Sequence, residues 1–466
     1  MQLFILLFLV GFLTITAIGK TFSIFEKIFL SLPVGFAINS FAMFVMTFII
    51  DKISLGNIYA VNLLIAALLG SYIVFLLVKK QRSVSLKEIL PNDFSGVNLV
   101  VLVFAGVIIY LVKGITMKCL YWPPAEFDTI LGYDLLAKAI ANEGKLANSI
   151  LTNAELVNGC GPRLLYPPLL SFSNSLCYYL GMQEPKIINA IFYVSWVGAF
   201  YTLLRKLVNS TNAIFFTFFT VIIPEMFAHG SFSLTNLPTA YFGVTAVLCF
   251  LIWYYKNEES YFYLSMLLLA AMLWTRADSI FILFGIGAVL LILFIKQRNF
   301  KHLLLLATSG IPFLIWNFYS KAVIPRAQTS FFVDHLFFDF EKLGKVISKA
   351  WEIANNSNLY GITVSLFLLI LIANVIYMII KKSDDNWALL TIIFVSLGTY
   401  TLVYYQIDDK DGLLFAAGGG WLESGYKRGL FLYLPLLMVY GANSFLSKYI
   451  FDEIGNALAI FKKPSN

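Results

Sequence analysis

The sequence predicts an all-α polytopic membrane protein, and three observations carry that prediction. Of 466 residues, 59% are hydrophobic and only 13% charged, with a mean hydropathy of +0.81. A soluble domain of ordinary usage carries about 25% charged residues. The apolar residues gather into runs of spanning or near-spanning length, at 3–18, 28–50, 56–78, 97–113, 186–204, 212–224, 237–255, 260–275, 277–295, 303–318, 359–380, 387–405 and 429–446. These give about thirteen helices, several short enough to be tilted, shared or buried inside the bundle. Finally, basic residues cluster beside the runs. With the N-terminus placed outside, Lys79/Lys80/Arg82/Lys87, Arg205/Lys206, Lys296/Arg298/Lys301 and Lys381/Lys382 all fall inside, as the positive-inside rule requires. The net charge of +7 therefore marks topology and not nucleic-acid affinity.

Each element follows from these rules. The first run, 3–18, lacks a basic leader and a small-residue cleavage site, so it is expected to be retained. The stretch 167–181 opens on two prolines and is short, which predicts an interfacial helix lying on the outer face. Counting it as a span would move Arg205 and Lys206 outside. The chain then reads as a single transmembrane domain, 1–466, with three long exterior loops at 114–186, 319–358 and 406–428. No segment is large enough for a nucleotide-binding domain, and neither a P-loop nor a dinucleotide fingerprint is present. Four cysteines exclude a disulfide scaffold. Cys119 and Cys160 share one predicted exterior loop, where they are either a pair or two unlinked small hydrophobes.

The segment 121–145, YWPPAEFDTILGYDLLAKAIANEGK, is the polar interruption in this apolar chain. From Asp128 it has helical periodicity, with Ile130, Leu131, Leu135, Leu136, Ala139 and Ile140 on one face and Asp134, Lys138 and Asn142 on the other. Asp128 then has two readings, a helix N-cap or a reactive carboxylate at the membrane surface. Asp134 reads as the i,i+4 partner of Lys138. Glu126 is a second carboxylate in the same patch. Near the middle of the chain, Arg276 sits in TRAD between two apolar runs with almost no loop, where an ionisable residue is a functional candidate. Its plain alternative is a local pair with Asp278. The stretch FFVDHLFFDFEKLGKVISKAWEI predicts another amphipathic surface helix, carrying His335, as a wall or lid. The acidic cluster Asp408, Asp409 and Asp411 contains Lys410 and reads as a solvated loop.

The motifs EFDTILGYDLLAKAIANEG (126–144), YPPLLSFSNSLCYYLG (166–181), LLLAAMLWTRADSIFILF (267–284) and SGYKRGLFLYLPLL (424–437), in this order, resemble the GT-C superfamily of membrane glycosyltransferases. That superfamily includes protein mannosyltransferases, aminoarabinose transferases and oligosaccharyltransferases. The resemblance implies a GT-C-like bundle with amphipathic juxtamembrane helices on the outer face. It also implies transfer of a sugar from a polyprenyl-phosphate or diphosphate donor to a lipid, glycan or protein acceptor, in cell-envelope glycan biosynthesis. Asp128 would be the general base, with Glu126 as its rival. A departing phosphate needs cations, for which Arg276, Arg428, Lys427, Arg326 and Arg163 are the candidates. Tyr133, Tyr166, His229, Asn236 and His335 would line the donor and acceptor cavity. Many relatives carry an acid where this chain has Asn236, which disfavours a divalent cation; no metal ligand set and no required cofactor is expected. The implied setting is a bacterial inner membrane with the site facing the periplasm, and no nucleic-acid partner. Two other classes stay open: an O-antigen polymerase or ligase, which places its large loop late in the chain, and a lipid-linked glycan flippase or transporter, for which repeats are expected.

Overall fold

Once water is absent, an apolar run satisfies its backbone by coiling into a helix, and helices are what this chain forms. The computed structural model describes residues 1–79, 98–160, 164–298, 300–325, 338–381, 386–407, 409, 412–416 and 420–457. Among the described residues there is no β-strand, and nine helices are long and apolar enough to cross a membrane: Ile24–Met46, Leu55–Val78, Leu99–Tyr121, Ile187–Leu204, Asn236–Lys256, Ala277–Gln297, Lys301–Val323, Thr363–Lys381 and Trp387–Gln406. Trp421–Asn443 and Phe445–Ile454, bent by 64° where they meet, add a tenth if they form one span. Three of the expected spans, Gln2–Ile18, Ser210–Val221 and Glu259–Leu273, are helices of 17, 12 and 15 residues. At 1.5 Å per residue they reach only about 18–26 Å, against a hydrocarbon core of about 30 Å. The protein is a polytopic helical membrane protein.

Its centre is Asn236–Lys256, buried at every position from Asn236 to Trp253. Leu55–Val78 and Leu99–Tyr121 lie at the rim, with Leu63, Leu64, Leu68, Leu102 and Ile109 exposed, as residues facing lipid should be. Because the spans alternate in direction, the end of Leu99–Tyr121 and the starts of Asn236–Lys256 and Trp421–Asn443 come to one end of the bundle. The opposite end is closed by its own polar ties. There Tyr261 donates to the buried Glu26 at 2.8 Å, and Asn386 donates to the Asn443 carbonyl at 2.9 Å.

Several loop expectations need correction. The first loop, expected from 114, begins only after Tyr121, because the helix continues to that residue. The third, expected to run to 428, ends where the helix Trp421–Asn443 begins, so Lys427 and Arg428 lie in the second turn of that helix. The helix expected from Asp128 is a π-helical turn, Thr129–Tyr133, followed by Asp134–Glu143. The extra residue in a π turn rotates the face that follows it. Ile130 is consequently 48% exposed, while Tyr133 is buried. Gly144 ends the segment at φ +70°, and its carbonyl accepts from Ile53 N at 2.7 Å.

The stretch 167–181 contains the 11-residue helix Leu169–Tyr179, which is too short to span. It does not lie on the surface with one face open, because every residue from Leu169 to Cys177 is buried. Tyr179 O–H bonds the carbonyls of Ile53 (3.2 Å) and Ile140 (3.0 Å), and Tyr178 donates to Asp134, so the helix is clamped from two sides. The second amphipathic helix forms as Phe340–Ala354, with Val346, Ala350 and Ile353 buried and Phe340 and Trp351 exposed. Lys342 donates to the Ile407 carbonyl at 2.5 Å, and Lys349 lies 3.9 Å from Glu423. The first contact ties this helix to the end of Trp387–Gln406 and the second to the start of Trp421–Asn443.

Candidate functional site

Asp128 immediately precedes the π turn, and its carboxylate makes no capping bond. It points instead across the bundle end, where Arg428 Nη1 donates to Oδ2 at 2.5 Å. Asp128 is 6% exposed, whereas the Arg428 side chain is 40% exposed. A buried acid is thus held by a cation that still reaches solvent. Asp134, by contrast, pairs with Lys138 at 2.9 Å and accepts from Tyr178, as helix support requires. Glu126 lies two positions before Asp128. One of its carboxylate oxygens is buried with no hydrogen-bond partner, and its charge acts on Cys119. Cys119 and Cys160 are both buried thiols, with Cys119 Sγ 3.6 Å from the Gly230 carbonyl.

Arg276 is buried in the tight turn between two apolar helices, and its fork is in use. Nε donates to Asp278 Oδ1 at 2.9 Å, Nη2 to Asp278 Oδ2, and Nη1 to Asn236 Oδ1 at 2.5 Å. Its planar face covers the Tyr166 ring at 5.1 Å. Burial works against the charge, but the Asp278 carboxylate outweighs it and holds the guanidinium well above its usual pKa. The local pair with Asp278 therefore exists, and it is part of the cleft. Tyr166 lies 6.2 Å from Tyr133 between ring centroids, and Tyr133 O–H is 3.1 Å from Thr235 Oγ1. Burial pushes both phenols up, so each stays a hydroxyl.

Asn236, Arg276, Asp278, Tyr400, Arg428 and Gly429 line one narrow cleft that opens to solvent. Gly429 permits its closed wall, because a Cβ there would meet the Tyr400 ring at 2.1 Å. Beside it, His229 Nε2 lies 3.2 Å from Glu225 Oε1, His229 Nδ1 lies 3.3 Å from Asn236 Nδ2, and Lys427 Nζ lies 3.3 Å from Glu225 Oε1. Burial pushes the Glu225 carboxyl up, yet the bonds from His229 and Lys427 prevail and hold it below the usual carboxylate range.

Comparison with family models, curated proteins and solved structures finds no match. The chemistry therefore rests on the groups themselves. The structure joins Asp128 to Arg428, and Arg428 to Arg276 and Asn236 through the cleft. Lys427 is tied to Glu225, and His229 stands behind Asn236 and not in the cleft wall. Arg163, Arg326 and His335, like Asp408 and Asp411, lie outside the described residues. Among the described residues no three His, Cys, Asp or Glu side chains converge as a metal site. Tyr400, in the interior of a span, and Gly429 are among the lining residues that had no sequence signal. Glu225 did have one, its i,i+4 spacing to His229. The arrangement offers one buried carboxylate and two arginines whose forks suit an oxyanion.

Proposed function

We propose that the protein is a GT-C-like glycosyltransferase that moves a sugar from a polyprenyl-phosphate or diphosphate donor to an acceptor hydroxyl or amine. The observation that carries this reading is the buried Asp128 carboxylate paired with Arg428 at the cleft lined by Arg276. A phosphate entering the cleft meets Arg428, whose solvent-reaching fork turns toward the stronger anion, and Arg276 behind it. Asp128 then accepts the proton of the acceptor. The acceptor oxygen or nitrogen bonds to the anomeric carbon, the carbon–oxygen bond to phosphate breaks, and the leaving phosphate keeps the electron pair. Arg276 and Arg428 stabilise that growing negative charge as positioned cations. Tyr133 and Tyr166 remain neutral donors able to hold sugar hydroxyls.

In this reading the bent pair and the three shorter apolar helices also cross the membrane, giving the thirteen spans expected from sequence, and the site faces the periplasm. Asp128→Asn removes the base and keeps the shape. Formation of a glycosidic bond from a polyprenyl-phosphate sugar should fall about a hundredfold or more, with binding of the donor lipid retained. Undiminished turnover in Asp128→Asn overturns the assignment.

A further inference from the structure

Glu225, His229 and Asn236 form a hydrogen-bonded line that runs from Lys427 to Arg276, and its two ends determine the direction of every bond between them. Arginine has only donors. Arg276 Nη1, at 2.5 Å, therefore requires Asn236 to present its oxygen, which turns the amide nitrogen toward His229 Nδ1 at 3.3 Å. That nitrogen must then be the acceptor. From the other end, the Glu225 carboxylate has only acceptors, and it faces Lys427 Nζ at 3.3 Å and His229 Nε2 at 3.2 Å. Nε2 must then be the donor. The two arguments meet in a single imidazole proton, placed on Nε2. Both His229 nitrogens are engaged, so the ring has no free nitrogen to act on a substrate.

We infer that Glu225, His229 and Asn236 are a relay of fixed polarity that aims the Arg276 guanidinium into the cleft, making Glu225 and His229 positioning residues for anion binding. The packing fits this role. His229 is 7% exposed and its ring is held between Phe232 (5.2 Å) and Phe431 (4.9 Å), so it cannot swing to another partner. Asn236 begins the most buried helix of the bundle, and Gly230, just after His229, has its carbonyl held by Asn189 at 2.6 Å. Arg276 has few ways to turn: Asp278 takes two of its nitrogens and Asn236 a third. The relay decides which edge of the fork is left over for an incoming oxyanion. The aiming half of the inference rests on the functional reading above; the polarity half stands without it.

Both halves can be tested on the full chain in lipid bilayers. With isotope-labelled histidine nitrogens, solid-state NMR identifies the His229 ring as the signal lost in His229→Gln. The relay requires one protonated nitrogen, Nε2, and one bare nitrogen, Nδ1. A ring protonated on Nδ1 overturns it. Asn236→Asp replaces the donating amide by an acceptor, so both ring nitrogens should then appear protonated; an unchanged pattern overturns the relay. The second arm measures affinity for undecaprenyl phosphate. His229→Leu breaks the line and should weaken binding about tenfold. His229→Gln, whose amide accepts at one end and donates at the other, should restore it to within about threefold. Equal affinity in His229→Leu and the natural protein overturns the aiming role. Failure of Gln to rescue does so as well, because a titrating ring is then required. If the natural protein does not bind this lipid, the functional reading falls and the NMR arm still decides the relay.

Discussion

Arg276 shows how little of a residue's role is carried by its type. An arginine between two apolar runs is a functional candidate, and Asp278 two positions on signals a local pair; the pair forms, and it makes one wall of the cleft. Its contacts use three nitrogens of a planar fork, which a lysine ammonium cannot reproduce. Arg276→Lys should therefore lose about tenfold or more in affinity for a polyprenyl phosphate, and should lower thermal stability by about 1–3 kcal/mol, since Asp278 and Asn236 lose partners but Asp278 still reaches water. Calorimetric titration and a melting curve check the two parts. Glu225 makes a prediction about pH. Its folded carboxyl titrates below its reference value of 4.5, so the folded state binds fewer protons than the unfolded one in that range. The stability it contributes is present above 4.5 and is lost as pH falls through the lowered folded value. Melting curves of the natural protein and Glu225→Gln should differ at neutral pH and draw together as the solution is acidified below that point. At this scale Asp128 and Arg276 were legible from their cost near lipid. The meeting of Asp128 with Arg428 was not, because no local rule links residues 300 positions apart.

At the scale of elements, the π turn Thr129–Tyr133 is the feature that periodicity alone misplaces. A regular helix would keep Ile130 with the buried stripe; the inserted residue turns it outward and carries Tyr133 into the site. The helix Leu169–Tyr179 was misplaced for a different reason. Its prolines and length argue correctly against a span, but burial on all sides depends on the tyrosine hydroxyls that tie it to its neighbours. Gly144 joins these parts. It holds φ at +70°, and a Cβ would meet Lys52 Cγ at 2.4 Å and the Ile53 carbonyl at 2.7 Å. Gly144→Ala should cost about 1–3 kcal/mol and loosen the loop that holds 128–143 in place. A lower melting temperature together with reduced donor affinity is the expected result; an unchanged melting curve would show that the loop contact is dispensable.

For the whole molecule, the polar residues divide between two ends, one bearing Asp128, Arg276 and Arg428 and the other Glu26, Glu259 and Lys301. The positive-inside rule sets the expectation to be tested here, with the Asp128 end outside. The four native cysteines are buried, so an introduced thiol can report sidedness. Lys145→Cys should react with a membrane-impermeant maleimide added to intact cells, and Lys301→Cys should react only after the membrane is opened; the reverse pattern would invert the orientation. The sequence by itself determined that this chain is a helical membrane protein, where most of its spans lie, and which acids and arginines are candidates for a functional site. Those conclusions need only the high cost of exposing backbone and charge to lipid, which acts locally along the chain. Only the tertiary structure decided that Asp128 meets Arg428, that Asn236 links Arg276 to His229, and that Tyr400 and Gly429 close the cleft. Those contacts depend on how distant helices cross and turn, and a change of one residue in a helical turn is enough to alter which side chains face one another.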